Sequence, residues 1–489
     1  MQHFYGRRGG NYFRSAADYV PKIILALCAV GCGERPSTID VIPPKPFEGT
    51  VLTVAVANPA DRELVRHLGR SWGSRAGAVV RIADATWDGS TDIGLVAPAD
   101  LPRWAAAGTL AEVPASLQDR THGYRWDDQF TVYSTRLLRW NRRAYALPVV
   151  AEGMVLAYRK DAFDGKDGRP AGPPRTWEEY LVAAKAFGPE SLPPVSENPE
   201  ALAAEFFSAA ASADRLAISR VAPGQDVGDD FFAFQFDPKT GEPRLRTPTF
   251  VGAAELLLRA QPYRGRAATP AAAFQSGRAK LGVITLAELA AVRPATAATL
   301  GIAPLPGSAY TFGPNGRKVP TLAGAVNFIP YLGWGGRVGV VAAGSAKADA
   351  AWDFLADSGD PDRAALDLIA AARFGAGPYR PSQIDTRARP RWYGYNLSAT
   401  ETDRLTAALR DNLGLGVQNP RLGVRTSNQH ELAAALDAVL RGMLREAPAG
   451  DPAPRATDAM EKADAAWREI IGRTPPAEWK AAVRAGLGL

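Results

Sequence analysis

Cysteine is nearly absent. Of 489 residues only Cys28 and Cys32 are cysteines, so everything beyond residue 32 has neither a disulfide nor a thiol to work with. Histidine is almost as scarce: His3 stands near the start, and His67, His122 and His430 are dispersed with no pair at metal-ligand spacing. Neither a resident metal nor a cofactor is expected. No P-loop, no GxSxG elbow and no GxGxxG after a strand occurs, which removes the usual motif signatures of phosphate cradles and serine hydrolases. Basic runs of five or more residues are missing, as are aromatics interleaved with arginine. With a net charge of only +6, spread along the chain, nucleic acid is not an expected partner. No apolar run is long enough to span a bilayer.

What is present is ordinary for a soluble globular protein: 46% hydrophobic and 22% charged residues. The length exceeds what one compact core supports and points to two or three domains. Near the N-terminus Arg7, Arg8, Arg14 and Lys22 precede an apolar run at 23–30 that ends at Gly31-Cys32. A basic region, a short apolar region and small residues before a cut are the marks of a secretory signal. Ala29-Val30-Gly31-Cys32 resembles a bacterial lipoprotein cleavage box, with Ala29 where leucine is more usual. That resemblance implies a signal peptide at 1–31 and lipidation at Cys32. Residues 32–49, with Pro36, Pro43, Pro44 and Pro46, read as an extended tether.

The fold is expected to begin at residue 50. A β-rich run (VLTVAVA, 51–57) ends at Asn58-Pro59, a helix cap followed by proline at the first helical position. Leu64, Leu68 and Trp72 then recur every four residues, as on a buried helix face. Further strands are expected at 78–83 and 92–96. Strands alternating with helices predict a mostly parallel sheet, whose ligands lie at the carboxyl ends of the strands. Those ends fall at Asn58, at Trp87-Asp88 and at Asp100; the plainer reading of Asp100 is a helix cap. Later, an amphipathic helix is expected from Glu431. The aromatic and basic stretch 125–145 has no role that the sequence explains.

The most telling stretch is 145–163, YALPVVAEGMVLAYRKDAF. Two apolar runs split by Pro148 and Gly153 read as two strand segments joined by a kink. Thr176-Trp177-Glu178-Glu179 follows as a capping box opening a helix. This order is similar to that of the family-1 extracellular solute-binding proteins of ABC importers. DIGLV followed by AGTL (92–110) and FDPKTGEP followed by AAFQSGRAKLGV (236–283) carry the same likeness.

The resemblance implies an α/β, two-lobed periplasmic-binding-protein-like fold with a ligand cleft between lobes. Lobe 1 would take 50–148 and return at 301–356. Lobe 2 would take 151–300, and 375–489 would join it with a C-terminal helical region. The chain would be a non-enzymatic, monomeric binding component that closes on a sugar or oligosaccharide and delivers it to an ABC permease. Candidate ligand contacts are Trp87, Asp88, Asp100, Glu152, Trp334, Trp392, Arg425 and Asn428. The aromatics would supply flat faces for sugar C–H groups, and the polar residues would bind hydroxyls. The rival readings are a secreted carbohydrate-active hydrolase, which needs a carboxylate pair in the cleft, and a lipoprotein adaptor holding a protein partner.

Overall fold

The computed structural model describes residues 45–214, 233–313, 315–322, 324–331, 336–361, 372–414, 425–445, 450–487 and 489. Cys32, with the whole of 1–31, and Trp334 lie outside the described residues.

The chain opens with strand β1 (Val51–Val56), helix α1 (Pro59–Ala76) and strands β2 (Val79–Ala83) and β3 (Ile93–Val96). Asn58 caps α1 as its sequence predicts, its side chain accepting from Ala60 N at 3.0 Å. Leu64, Leu68 and Trp72 are all buried, as their spacing predicts. After an irregular segment come β4 (Ala146–Val150) and β5 (Met154–Arg159), split by three residues, as the kinked apolar runs predict. Helices α2 (Trp177–Phe187), α3 (Pro199–Asp214) and α4 (Pro248–Ala260) follow, then β6 (Leu281–Thr285), β7 (Leu300–Ala303), β8 (Arg337–Val341) and α5 (Ala348–Ser358). Four long helices end the chain: α6 (Ala399–Gly414), α7 (Gln429–Arg445), α8 (Pro452–Ile471) and α9 (Pro476–Leu487). Shorter strands and turns are left unlabelled. Among the described residues no helix is long and apolar enough to cross a membrane.

The strands form two main sheets. Lobe 1 carries the order β2-β1-β3-β8-β4 and lobe 2 the order β6-β5-β7. The opening pairs, β1 with β2 and with β3, are parallel. The expectation of a mostly parallel architecture does not hold beyond them: β8 runs antiparallel to both β3 and β4, and β5 antiparallel to both β6 and β7. The reason is the crossings. β8 enters lobe 1 from lobe 2 rather than through a crossover helix within one sheet, so nothing imposes the parallel sense.

Strand β5 shows how the lobes share their cores. Val155 and Ala157 pack in the cluster that includes the lobe 1 sheet and α6, whereas Met154, Leu156 and Tyr158 pack with α2, α3 and α4. Period-2 alternation of an all-apolar strand buries both faces.

Three chain segments meet where the lobes join. The first is the kink between β4 and β5. The second is the entry to β8, where Gly336 (φ +93°) lies so close to Val150 that a Cβ would fall 2.0 Å from its carbonyl oxygen. The third is Gly377, which donates to Ala151 O at 2.7 Å; a Cβ there would sit 2.7 Å from the Glu152 carbonyl oxygen. Few residues link two well-packed bodies, the arrangement from which hinge closure is built.

Candidate ligand cleft between the lobes

At the hinge Glu152 faces Arg337. The guanidinium donates to Glu152 Oε1 at 3.3 Å and to Asp61 Oδ2 at 3.2 Å. Asp61 comes from the first turn of α1, directly after β1, so the strand end, the kink and the return strand converge on one cation. Burial pushes the Asp61 carboxyl above its usual range, Arg337 pulls it back down, and the nearby Glu152 adds to the upward push. A small cavity of about 20 Å³ lies next to Glu152, lined by Tyr133 and Leu137 of lobe 1 and by Met154, Tyr331, Leu409, Asn412 and Leu413. That space holds about one water.

Tyr331 also walls a second and larger cavity, of about 330 Å³. Its apolar lining includes Phe207 of α3, Phe236, Trp467 of α8 and the inner face of α7; its polar lining is Gln235, Gln429, His430 and Asp437. The aromatic wall is fixed in place. Phe236 stacks on Trp467 at 5.0 Å and 8°, Phe207 packs on Tyr331 at 4.8 Å, and Trp467 Nε1 donates to Leu432 O at 2.8 Å. Gln429 is 2% exposed, yet neither its amide nitrogen nor its amide oxygen has a partner. A buried amide with both its donor and its acceptor unspent is rare in folded proteins.

The cavity is built from lobe 2 elements, and lobe 1 reaches it at His430. The imidazole Nε2 donates to Asp100 Oδ1, on the turn that follows β3. This bond raises the His430 pKa above its ordinary value, against burial and the Arg103 charge. Asp100 does stand at the start of a short helix, Leu101–Ala106, but its side chain makes no capping bond. The carboxylate is used between the lobes instead.

The other sequence candidates fare differently. Trp87 is 2% exposed, its ring lies against Gly94 of β3, and it makes an edge contact with Trp104 at 5.1 Å. Trp392 is fully buried, donates Nε1 to Gln383 O at 3.0 Å and stacks near Tyr395. Neither indole offers a face to a solute; both are core. Asp88 is exposed and folds back on Ser90, accepting from its hydroxyl at 2.5 Å and from its N–H at 2.9 Å, so its carboxyl is held below the usual range. It lines neither cavity. Arg425 is buried but turns away from both, donating to Arg136 O and to Pro98 O. Asn428 is half-buried and its carbonyl accepts from Leu432 N at 3.0 Å, which places it beside Gln429 rather than in the cavity. Asp61 and Arg337 at the hinge, and Tyr331, Gln429 and His430 around the larger cavity, were not among the sequence candidates.

Comparison with known proteins agrees with this geometry. The sugar-binding protein MalE of Xanthomonas citri superposes with a TM-score of 0.61 at 16% identity, covering 87% of this chain and 100% of that one. The GacH receptor of Streptomyces glaucescens, solved unliganded and with acarbose, gives 0.60 at 15% identity, covering 87% and 99%. An ABC transporter solute-binding protein of Agrobacterium radiobacter in complex with ribitol gives 0.60 at 18% identity, covering 86% and 100%. At these identities the likeness shows the fold, a maltose-binding-protein-like pair of lobes. No curated protein sequence matches the chain significantly. The family described as bacterial extracellular solute-binding protein matches residues 79–386, and the chain belongs to that family of binding proteins.

Proposed function

We propose that this protein is the substrate-binding component of an ABC import system and that it captures a sugar or oligosaccharide by closure of its two lobes. The observation that carries the reading is the 330 Å³ cavity with its aromatic wall and the unspent Gln429 amide. Sugars offer apolar C–H faces and a rim of hydroxyls, and such a site supplies flat rings and a few fixed polar groups. A volume near 330 Å³ falls at the lower end of known ligand pockets, which favours a mono- or disaccharide. The neighbours described as binding sugars or ribitol support the same class.

The reading extends to details that follow from sequence. Residues 1–31 act as a signal peptide, Cys32 carries the lipid, and 32–49 tether a monomeric body to a membrane in the cell envelope. The lobe boundaries are those drawn from the sequence, and Trp334, three residues beyond Tyr331, adds an aromatic to the cleft. The chain binds and releases its solute without chemistry. Glu152 and Asp61 are both engaged by one arginine, which suits hydroxyl recognition and hinge geometry better than acid–base catalysis.

The test is a thermal-shift screen of the mature chain against sugars, oligosaccharides and polyols. A ligand that binds only the folded state raises the melting temperature in proportion to the logarithm of its concentration. At least one sugar should produce that shift; a flat response across the panel would overturn the assignment.

A further inference from the structure

The aromatic and basic stretch 125–145, which gives only Tyr133 and Leu137 to the hinge cavity, builds a further pocket. It is a cavity of about 530 Å³ on the flank of lobe 1, lined by Trp126, Ser134, Thr135, Arg136, Arg139, Asn141 and Arg142, closed by Arg425 and by Ala485-Gly486 at the end of α9. Four arginines therefore meet here. Among the described residues none of them pairs with an aspartate or glutamate. Arg139 spends its fork on neutral acceptors: Ser134 O at 2.7 Å, Arg142 O at 2.9 Å and Gln118 Oε1 at 3.1 Å. Arg136 donates to Leu487 O at 2.5 Å, and Arg425 to Arg136 O and to Pro98 O at 3.2 Å. The Nε groups of both Arg136 and Arg425 are buried without a partner.

Arg425 is only 4% exposed. A buried charge is costly unless it is paired, and the charged neighbour of Arg425 is another cation, Arg136, which repels it. The carbonyl end of α9 gives partial relief, since a helix C-terminus carries a partial negative charge. It does not balance four guanidiniums. Burial, with Arg136 alongside, lowers the Arg425 pKa to about 9. Neither local segment supplies a counter-charge: no acidic residue occurs at 129–151 or at 413–430. Guanidinium forks next to the hydroxyls of Ser134 and Thr135 and the amide of Asn141 match the donors that recognise oxyanions.

We propose that this pocket binds a tetrahedral oxyanion of the phosphate class, held by Arg136, Arg142 and Arg425 at a site separate from the solute cleft. The bound anion supplies the missing counter-charge and ties α9 and the segment at Arg425 to lobe 1. The proposal does not depend on the identity of the transported solute.

The test is titration of the mature chain with inorganic phosphate, against sodium chloride at matched ionic strength, followed by calorimetry and by melting temperature. Phosphate should bind and raise the melting temperature where chloride does not. Arg142→Gln, on an exposed turn, should weaken phosphate binding at least about tenfold, the scale of one charge-assisted hydrogen bond, while melting as wild type does without phosphate. Arg136→Gln should remove the phosphate response. Sugar titrations of Arg142→Gln should be unchanged, which separates failure here from failure of the solute assignment. Sedimentation with phosphatidylglycerol vesicles, against phosphatidylcholine, then distinguishes sources: wild type pelleting only with the anionic lipid, and losing this in Arg142→Gln, assigns the phosphate to a headgroup, and free phosphate binding without pelleting assigns it to a soluble anion. Equal stabilisation by chloride, or a phosphate response that survives in both variants, would overturn the proposal.

Discussion

The imidazole of His430 and the carboxylate of Asp100 form a hydrogen bond across the junction of the two lobes. They are 330 residues apart in sequence, and they join the first turn of α7 to the turn that follows β3. A bond so placed makes the stability of this junction depend on the protonation of His430.

The coupling has a definite sign. The His430 pKa is raised above 6.5, chiefly by its bond to Asp100, so the protonated form stabilises the joined lobes. This stabilisation is complete below about pH 6.5 and is lost as pH rises through the raised value. The melting temperature of wild type should exceed that of His430→Gln at pH 5.5–6, and the gap should narrow by pH 8.5. A gap that is constant with pH would show that the contact carries no charge.

Asp61 gives the opposite kind of prediction. Burial raises its pKa in the folded state, so its ionised form is a burden at neutral pH that disappears as pH falls through the raised value. Asp61→Asn keeps an acceptor for Arg337 and should melt higher than wild type at pH 7–8. The two should converge near pH 4. If Asp61→Asn instead melts lower at pH 7, the ion pair with Arg337 outweighs the cost of burying the carboxylate.

Trp87 tests the distinction between core and site. Its ring occupies the space that Gly94 leaves on β3, where a Cβ would fall 2.3 Å from the indole. Trp87→Ala should cost about 3–5 kcal/mol of stability, as large-to-small core changes do, and leave solute affinity unchanged. Gly94→Ala should be similarly damaging. A stable Trp87→Ala with reduced solute affinity would return Trp87 to the cleft.

These residues also show what could be read in the sequence. The kink between β4 and β5 was legible because two apolar runs are split by Pro148 and Gly153. The buried face of α1 was legible because Leu64, Leu68 and Trp72 repeat every four residues. Trp87 was misread because a tryptophan at a strand end looks alike whether it faces solvent or folds under the sheet. The signal that resolves it is Gly94, a glycine inside a strand, which marks a close approach. Trp392 was misread for a related reason: the turn RPRWYGY looks loop-like, but its Trp and Tyr stack inward. Nothing local points to Gln429, a polar residue at the start of an amphipathic helix whose burial depends on α3 and α8. The pairing of Arg337 with Asp61 and Glu152 spans 276 and 185 residues, and long-range pairing of charges leaves no trace in spacing. The antiparallel entry of β8 was hidden likewise, since strand direction depends on which lobe the chain comes from.

Isothermal titration of wild type and Gln429→Leu with a sugar found by thermal shift tests the central claim most directly. Gln429 is the buried amide without partners in the 330 Å³ cavity, and leucine keeps the side-chain size while removing both polar atoms. The sugar should bind wild type and bind Gln429→Leu at least about tenfold more weakly, the cost of a lost buried hydrogen bond, with the empty protein no less stable. Equal affinity for the two proteins, with the sugar still bound, would contradict the placement of the solute in this cavity.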